Sequence, residues 1–79
     1  MVKDAIVKRI QQLCNEKELS YTELARLSGI TPSTIYSLLS PERRDISAAT
    51  VKKICDGLDI TLGEFFTTPE FDNLEQEIK

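Results

Sequence analysis

Apolar residues recur along this chain at helical spacing, broken at short intervals by residues that start or stop helices. Over residues 2–17 the positions Ile6, Ile10, Leu13, Cys14 and Lys17 fall on one stripe, with charge elsewhere, which predicts an amphipathic first helix. Ser20 followed by Glu23 has the spacing of a capping box. Leu24, Ala25, Leu27 and Ile30 supply an apolar face, and Gly29 can take the left-handed conformation that closes a helix. Thr31 then serves as an N-cap with Pro32 at the first helical position, where its missing N–H costs nothing. This third helix turns Ile35, Leu38 and Leu39 inward, and Pro41 ends it by pushing Ser40 out of helical conformation. Residues 40–46 form a charged loop.

Ser47 caps a fourth helix with Ala48, Val51, Ile54, Cys55 and Leu58 on its inward face, and Asp59 turns the chain out of it. Thr61 with Glu64 opens a short fifth helix carrying Leu62, Phe65 and Phe66. Thr68-Pro69-Glu70 is a further helix start, after which Phe71, Leu74 and Ile78 recur at spacings of three and four. A helix of about ten residues is marginal alone, so this stripe needs a partner surface: its own domain, a twin subunit or another protein. No segment alternates with the period of two that marks a strand. The fold expected is all-α, a compact five-helix domain over residues 1–68 with an acidic amphipathic tail over 69–79.

The 79 residues suit one domain with a modest core. No apolar run approaches the roughly 18 residues of a membrane span, and Asp4 stands too early for a secretory signal. There is no histidine, and the two cysteines, Cys14 and Cys55, are far apart with no CxxC spacing. Zinc and a disulfide framework are therefore not expected; the cysteines read as buried free thiols in a reducing cytoplasm. With no nucleophile beside an evident base, the chain is not expected to be an enzyme, and no cofactor is expected.

The pairing of residues 20–29 with 31–40, two short helices across a tight turn, is the geometry that places a second helix in the major groove of DNA. Over residues 5–66 the chain resembles the lambda-repressor-like, Cro/cI-type helix-turn-helix family, also called the xenobiotic-response-element type. The matching pieces are Arg9-Ile10-Gln11-Gln12-Leu13, Leu19-Ser20, Glu23-Leu24-Ala25, Ser28-Gly29-Ile30-Thr31, Ser33-Thr34-Ile35-Tyr36, Thr50-Val51-Lys52-Lys53-Ile54 and Leu58-Asp59-Ile60-Thr61-Leu62. The resemblance implies a five-helix domain that binds double-stranded operator DNA, usually as a symmetric dimer. The helix starting near Thr31 would enter the major groove, while the preceding helix and the following loop grip the sugar-phosphate backbone.

Three departures from the family pattern involve four positions. Tyr21 stands where glutamine commonly bonds a phosphate, a role that a phenol can also fill as donor. Cys14 and Leu39 replace an arginine–glutamate pair, both charges being lost together, as when a buried ion pair gives way to apolar packing. Gly57 replaces the usual alanine, a change that weakens a helix by about 1 kcal/mol.

The candidate recognition helix has no charge and no Asn, Gln or Arg, the side chains that bond two base atoms at once. Pro32, Ser33, Tyr36 and Ser37 are its candidate base readers. Ser33 and Ser37 could equally be a solvated face, and Tyr36 could pack in part on the domain.

The net charge of −3 arises from 10 basic and 13 acidic residues. All of the excess lies in the last ten residues, with four acids and one lysine, so the rest can still present a basic face. Arg43 and Arg44 are the natural phosphate grips, with Ser40, Lys52, Tyr21 and Thr31 as further candidates. Phe66, Phe71, Leu74 and Ile78 are the candidate dimer interface.

Two functions follow. One is a small stand-alone transcriptional regulator, a phage-like or element-borne repressor acting as a homodimer. The alternative is an antitoxin-like or other protein-interaction module, its acidic tail binding another protein and its DNA binding secondary or lost.

Overall fold

The computed structural model describes residues 2–42 and 45–74. Among these residues six helices follow one another: α1 (Val2–Glu16), α2 (Tyr21–Ser28), α3 (Pro32–Leu39), α4 (Ala48–Leu58), α5 (Leu62–Phe65) and α6 (Pro69–Asp72). Four of them begin on a hydroxyl cap. Ser20, Thr31, Ser47 and Thr61 each accept a hydrogen bond from the backbone N–H three residues on. At α5 the capping box is complete, because Glu64 also accepts from the Thr61 N–H. At α2 the expected box gives way to a different pairing. Glu23 N–H still donates to Ser20 Oγ at 3.1 Å, but the Glu23 carboxylate is drawn to Arg26, a charged donor one turn on. That bond holds the Glu23 carboxyl below its ordinary range.

Three helices close in the same way. Leu19, Ile30 and Ile60 each donate their backbone N–H to the carbonyl five residues back, after a residue of positive φ. This is the Schellman closure, and its apolar following residue packs on the core in all three cases. Gly29 supplies the positive φ after α2, while after α1 and α4 it falls on Glu18 and Asp59. Asp59 thus turns the chain as its sequence position suggests. Glu18 is the costlier choice, since its side chain does not relieve the left-handed conformation.

The core is built from Ile6, Ile10, Leu13 and Cys14 of α1, Leu24 and Ala25 of α2, Ile35 and Leu38 of α3, Val51, Ile54, Cys55 and Leu58 of α4, and Phe65 of α5. α2 packs against both α3 and α4, α5 against α4, and α6 against α1. Three expected inward positions point outward instead. Leu27 is 41% exposed, and Ala48 and Lys17 are also exposed. Leu27 lies on the far edge of the α2 stripe, Ala48 sits in the first turn of α4 before that helix reaches the core, and Lys17 follows the last helical residue of α1.

Of the expected tail helix the described residues form a single turn: Asn73 caps α6, donating its N–H to the Pro69 carbonyl at 3.0 Å. Phe71 folds back into a triangle of rings. Its ring centroid lies 4.9 Å from that of Phe66 and 6.2 Å from that of Phe65. Leu74 is half-buried beside Asp4, Ala5 and Lys8 of α1. Ile78 lies outside the described residues.

Candidate nucleic-acid interface

Helix α3 has two opposed faces. Ile35 and Leu38 are each 1% exposed and fix the helix to the core, while Pro32, Ser33, Tyr36 and Ser37 share the outward face. The structure therefore brings all four candidate base readers together. Thr31, at the cap, is also exposed, but its hydroxyl is engaged: it accepts from Thr34 N–H and lies 2.8 Å from Thr34 Oγ1 and 3.3 Å from Ser33 Oγ.

Tyr21, the first residue of α2, is half-buried. Its ring meets that of Tyr36 edge to face, with centroids 5.8 Å apart and an interplanar angle of 89°. This contact joins the start of α2 to the middle of α3 on the outward side. Tyr36 nevertheless remains 56% exposed.

At its other end α3 is held by a residue that the sequence reading left out. Lys3 of α1 is only 8% exposed, and its Nζ donates to the Ser40 carbonyl at 2.6 Å. A cation there meets the negative end of the α3 dipole and an otherwise orphaned carbonyl. The signal was present in the chain, for Lys3 continues the stripe of Ile6, Ile10 and Leu13 by one step of three. Ser40 Oγ accepts from Glu42 N–H at 3.3 Å, so it shapes the start of the loop. Arg43 and Arg44 lie outside the described residues. Lys52 is exposed and ion-paired to Asp56 one turn along α4. A phosphate would have to compete with that carboxylate.

Arg9 was noted only as part of the family pattern, and it proves to be a clamp. Its guanidinium donates to the carbonyls of Phe65 and Glu64, each at 2.8 Å, and to Gln12 Oε1 at 2.9 Å. It ties the end of α5 to α1. Cys14 is buried in the core, and Leu39 packs partly against the same cluster, so both positions of the lost charge pair now serve apolar packing. Leu39 also lines a shallow groove with Lys3, Val7 and Gln11 of α1.

Burial pushes the thiols of Cys14 and Cys55 up, keeping them protonated, and both are free. Among the described residues, no three His, Cys, Asp or Glu side chains are grouped to hold a metal, and no helix is long and apolar enough to cross a membrane.

Two capped helices crossing at a glycine turn, the second with a polar outward face and an apolar inward one, define a helix-turn-helix DNA-binding domain. The chain belongs to the Cro/C1-type helix-turn-helix DNA-binding family, whose model matches residues 9–70. It is thus a DNA-binding regulator of transcription, of a family whose members are not typically enzymes. Neither a curated protein nor a solved structure matches the chain.

Proposed function

We propose that the protein is a sequence-specific repressor of phage or mobile-element type that works in the cytoplasm as a homodimer, laying α3 in the major groove of its operator. The observation that carries this reading is the two-faced α3, anchored through Ile35 and Leu38 with Pro32, Ser33, Tyr36 and Ser37 outward. In this pose the start of α2, with Tyr21, approaches one phosphate strand. The loop with Arg43 and Arg44 approaches another, assisted by Thr31, Ser40 and Lys52. Repression follows from occupancy, because a dimer on an operator that overlaps a promoter excludes polymerase.

The antitoxin-like alternative rests on the acidic last ten residues. It loses ground because Phe71, the first apolar residue of that tail, packs against Phe65 and Phe66 of its own chain.

A mobility shift with DNA from upstream of the protein's own gene, beside random duplex, tests the proposal. The upstream fragment should bind at least tenfold more tightly. Replacing Arg43 and Arg44 together with Ala should weaken both complexes alike and reduce the salt slope by about one per lost phosphate contact. Equal binding to both DNAs would remove the claim of sequence specificity, and an unchanged slope would remove the two arginines from the interface.

A further inference from the structure

The outward face of α3 leaves an unusual choice of readout. The helix reads Pro-Ser-Thr-Ile-Tyr-Ser-Leu-Leu and holds no Arg, Lys, Asn, Gln, Asp or Glu. Paired hydrogen bonds to one base edge are therefore unavailable from it. The hydroxyls of Ser33 and Thr34 already lie within hydrogen-bond distance of Thr31 at the cap. The largest outward group is the Tyr36 ring, and it is the one side chain on this face held by an aromatic partner, Tyr21. The major groove presents donors and acceptors on every base pair, and its one sizeable apolar group is the 5-methyl of thymine, which is read by apolar contact.

We propose that this protein selects its operator chiefly through contact between the Tyr36 ring and a thymine 5-methyl group, with Tyr21 as the positioning residue that holds that ring. The inference rests on the major-groove placement of α3 proposed above. The perpendicular ring contact restricts how Tyr36 can turn, so the ring meets the groove already oriented and less side-chain freedom is lost on binding. Tyr21 thereby acquires a role that depends on its ring. The phosphate bond suggested by its position in the helix depends instead on its hydroxyl, and the two roles separate by substitution.

The test uses the full chain to enrich duplexes from a randomised library. Each thymine of the enriched duplex is then replaced in turn by deoxyuridine, which removes the 5-methyl group and nothing else. Binding should weaken about fourfold at one thymine per half-site, the worth of one methyl group taken from water. Tyr36→Ala should abolish the difference between thymine and deoxyuridine there. Tyr21→Phe should preserve the difference. Tyr21→Leu, with cooperative melting checked, should reduce it.

An enriched duplex indifferent to every deoxyuridine overturns the inference while leaving DNA binding intact; failure to enrich or bind any duplex overturns the parent reading with it. A methyl effect that survives Tyr36→Ala assigns the contact to another residue. Loss of the effect in Tyr21→Phe would overturn the positioning role in favour of the hydroxyl. Tyr36 is exposed, so its variant decides the methyl contact whether or not Tyr21→Leu folds.

Discussion

Gly57 of α4 lies against Ser28 of α2 so closely that a Cβ at position 57 would stand 2.5 Å from Ser28 Oγ and 2.9 Å from both Ser28 N and the Leu27 carbonyl carbon. Two of these three neighbours are backbone, so the crowding cannot be relieved by a side-chain rotation. The glycine that weakens α4 as a helix is what lets α4 approach the helix on which α3 leans. Ser28 is 8% exposed at this crossing, and its Oγ is buried.

Gly57→Ala should therefore destabilise the protein, although alanine favours a helix by about 1 kcal/mol. Overpacking of this kind costs about 1–3 kcal/mol, and the net loss should be read as a lower midpoint in urea or heat. A more stable Gly57→Ala protein would mean that α2 and α4 separate freely at this point.

Lys3 offers a second test, at the far end of α3. Lys3→Met keeps the buried stem but removes the bond from Nζ to the Ser40 carbonyl. A hydrogen bond to a charged group contributes about 1.5–3 kcal/mol, and the end of α3 depends on this one. Backbone amides of Leu38, Leu39 and Ser40 should exchange faster with solvent, out of proportion to any global loss of stability. Uniform acceleration across the whole chain would show that Lys3 serves general stability alone.

The cysteines predict a pH dependence with a definite sign. Burial raises both thiol pKa values in the folded state, with Asp56 adding to the effect at Cys55. A raised folded pKa contributes stability below the unfolded value, and that contribution is lost as pH climbs towards the folded one. Stability should accordingly decline above roughly pH 8.5, the ordinary thiol pKa. Replacing both cysteines with Ala should flatten the decline. Thiol reagents should modify Cys14 and Cys55 only as fast as the chain opens, and rapid labelling of the native protein would contradict their burial.

These relationships mark where the sequence was readable. Ser20, Thr31, Ser47, Thr61, Gly29 and Asp59 each act on backbone within a few positions of themselves, so their effect follows from local pattern. The outward set on α3 was legible for the same reason, once Ile35 and Leu38 were turned inward. Lys3 and Ser40 are 37 positions apart and Arg9 and Phe65 are 56 apart. No local rule joins such pairs, because they meet only after α1 has docked on the other helices. Gly57 looked like a weak choice for a helix because its reason lies on α2. Glu18 gave no warning at all, its positive φ being imposed by the closure that tucks Leu19 into the core.

The C-terminal third supplies the last prediction, since the same aromatic cluster is both core and proposed dimer interface. Phe65 is fully buried, Phe71 is half-buried and Phe66 is 38% exposed, with Phe65 and Phe66 rings 4.9 Å apart. Removing everything after Thr68 takes Phe71 from this triangle and uncovers its neighbours. Partial burial of one phenylalanine is worth about 1–2 kcal/mol, which for a domain of this size lowers the melting temperature by roughly 4–16 °C. The truncated chain should still melt in one step, because Arg9 continues to hold the end of α5. Phe66→Ser, which leaves Phe71 in place, should instead weaken self-association with a smaller change in melting. Sedimentation of the full chain, the truncation and the Phe66 variant separates the two roles. If all three associate alike, the twin subunit docks elsewhere; if Phe66→Ser is monomeric with near-normal melting, the ring exposed at position 66 belongs to the dimer.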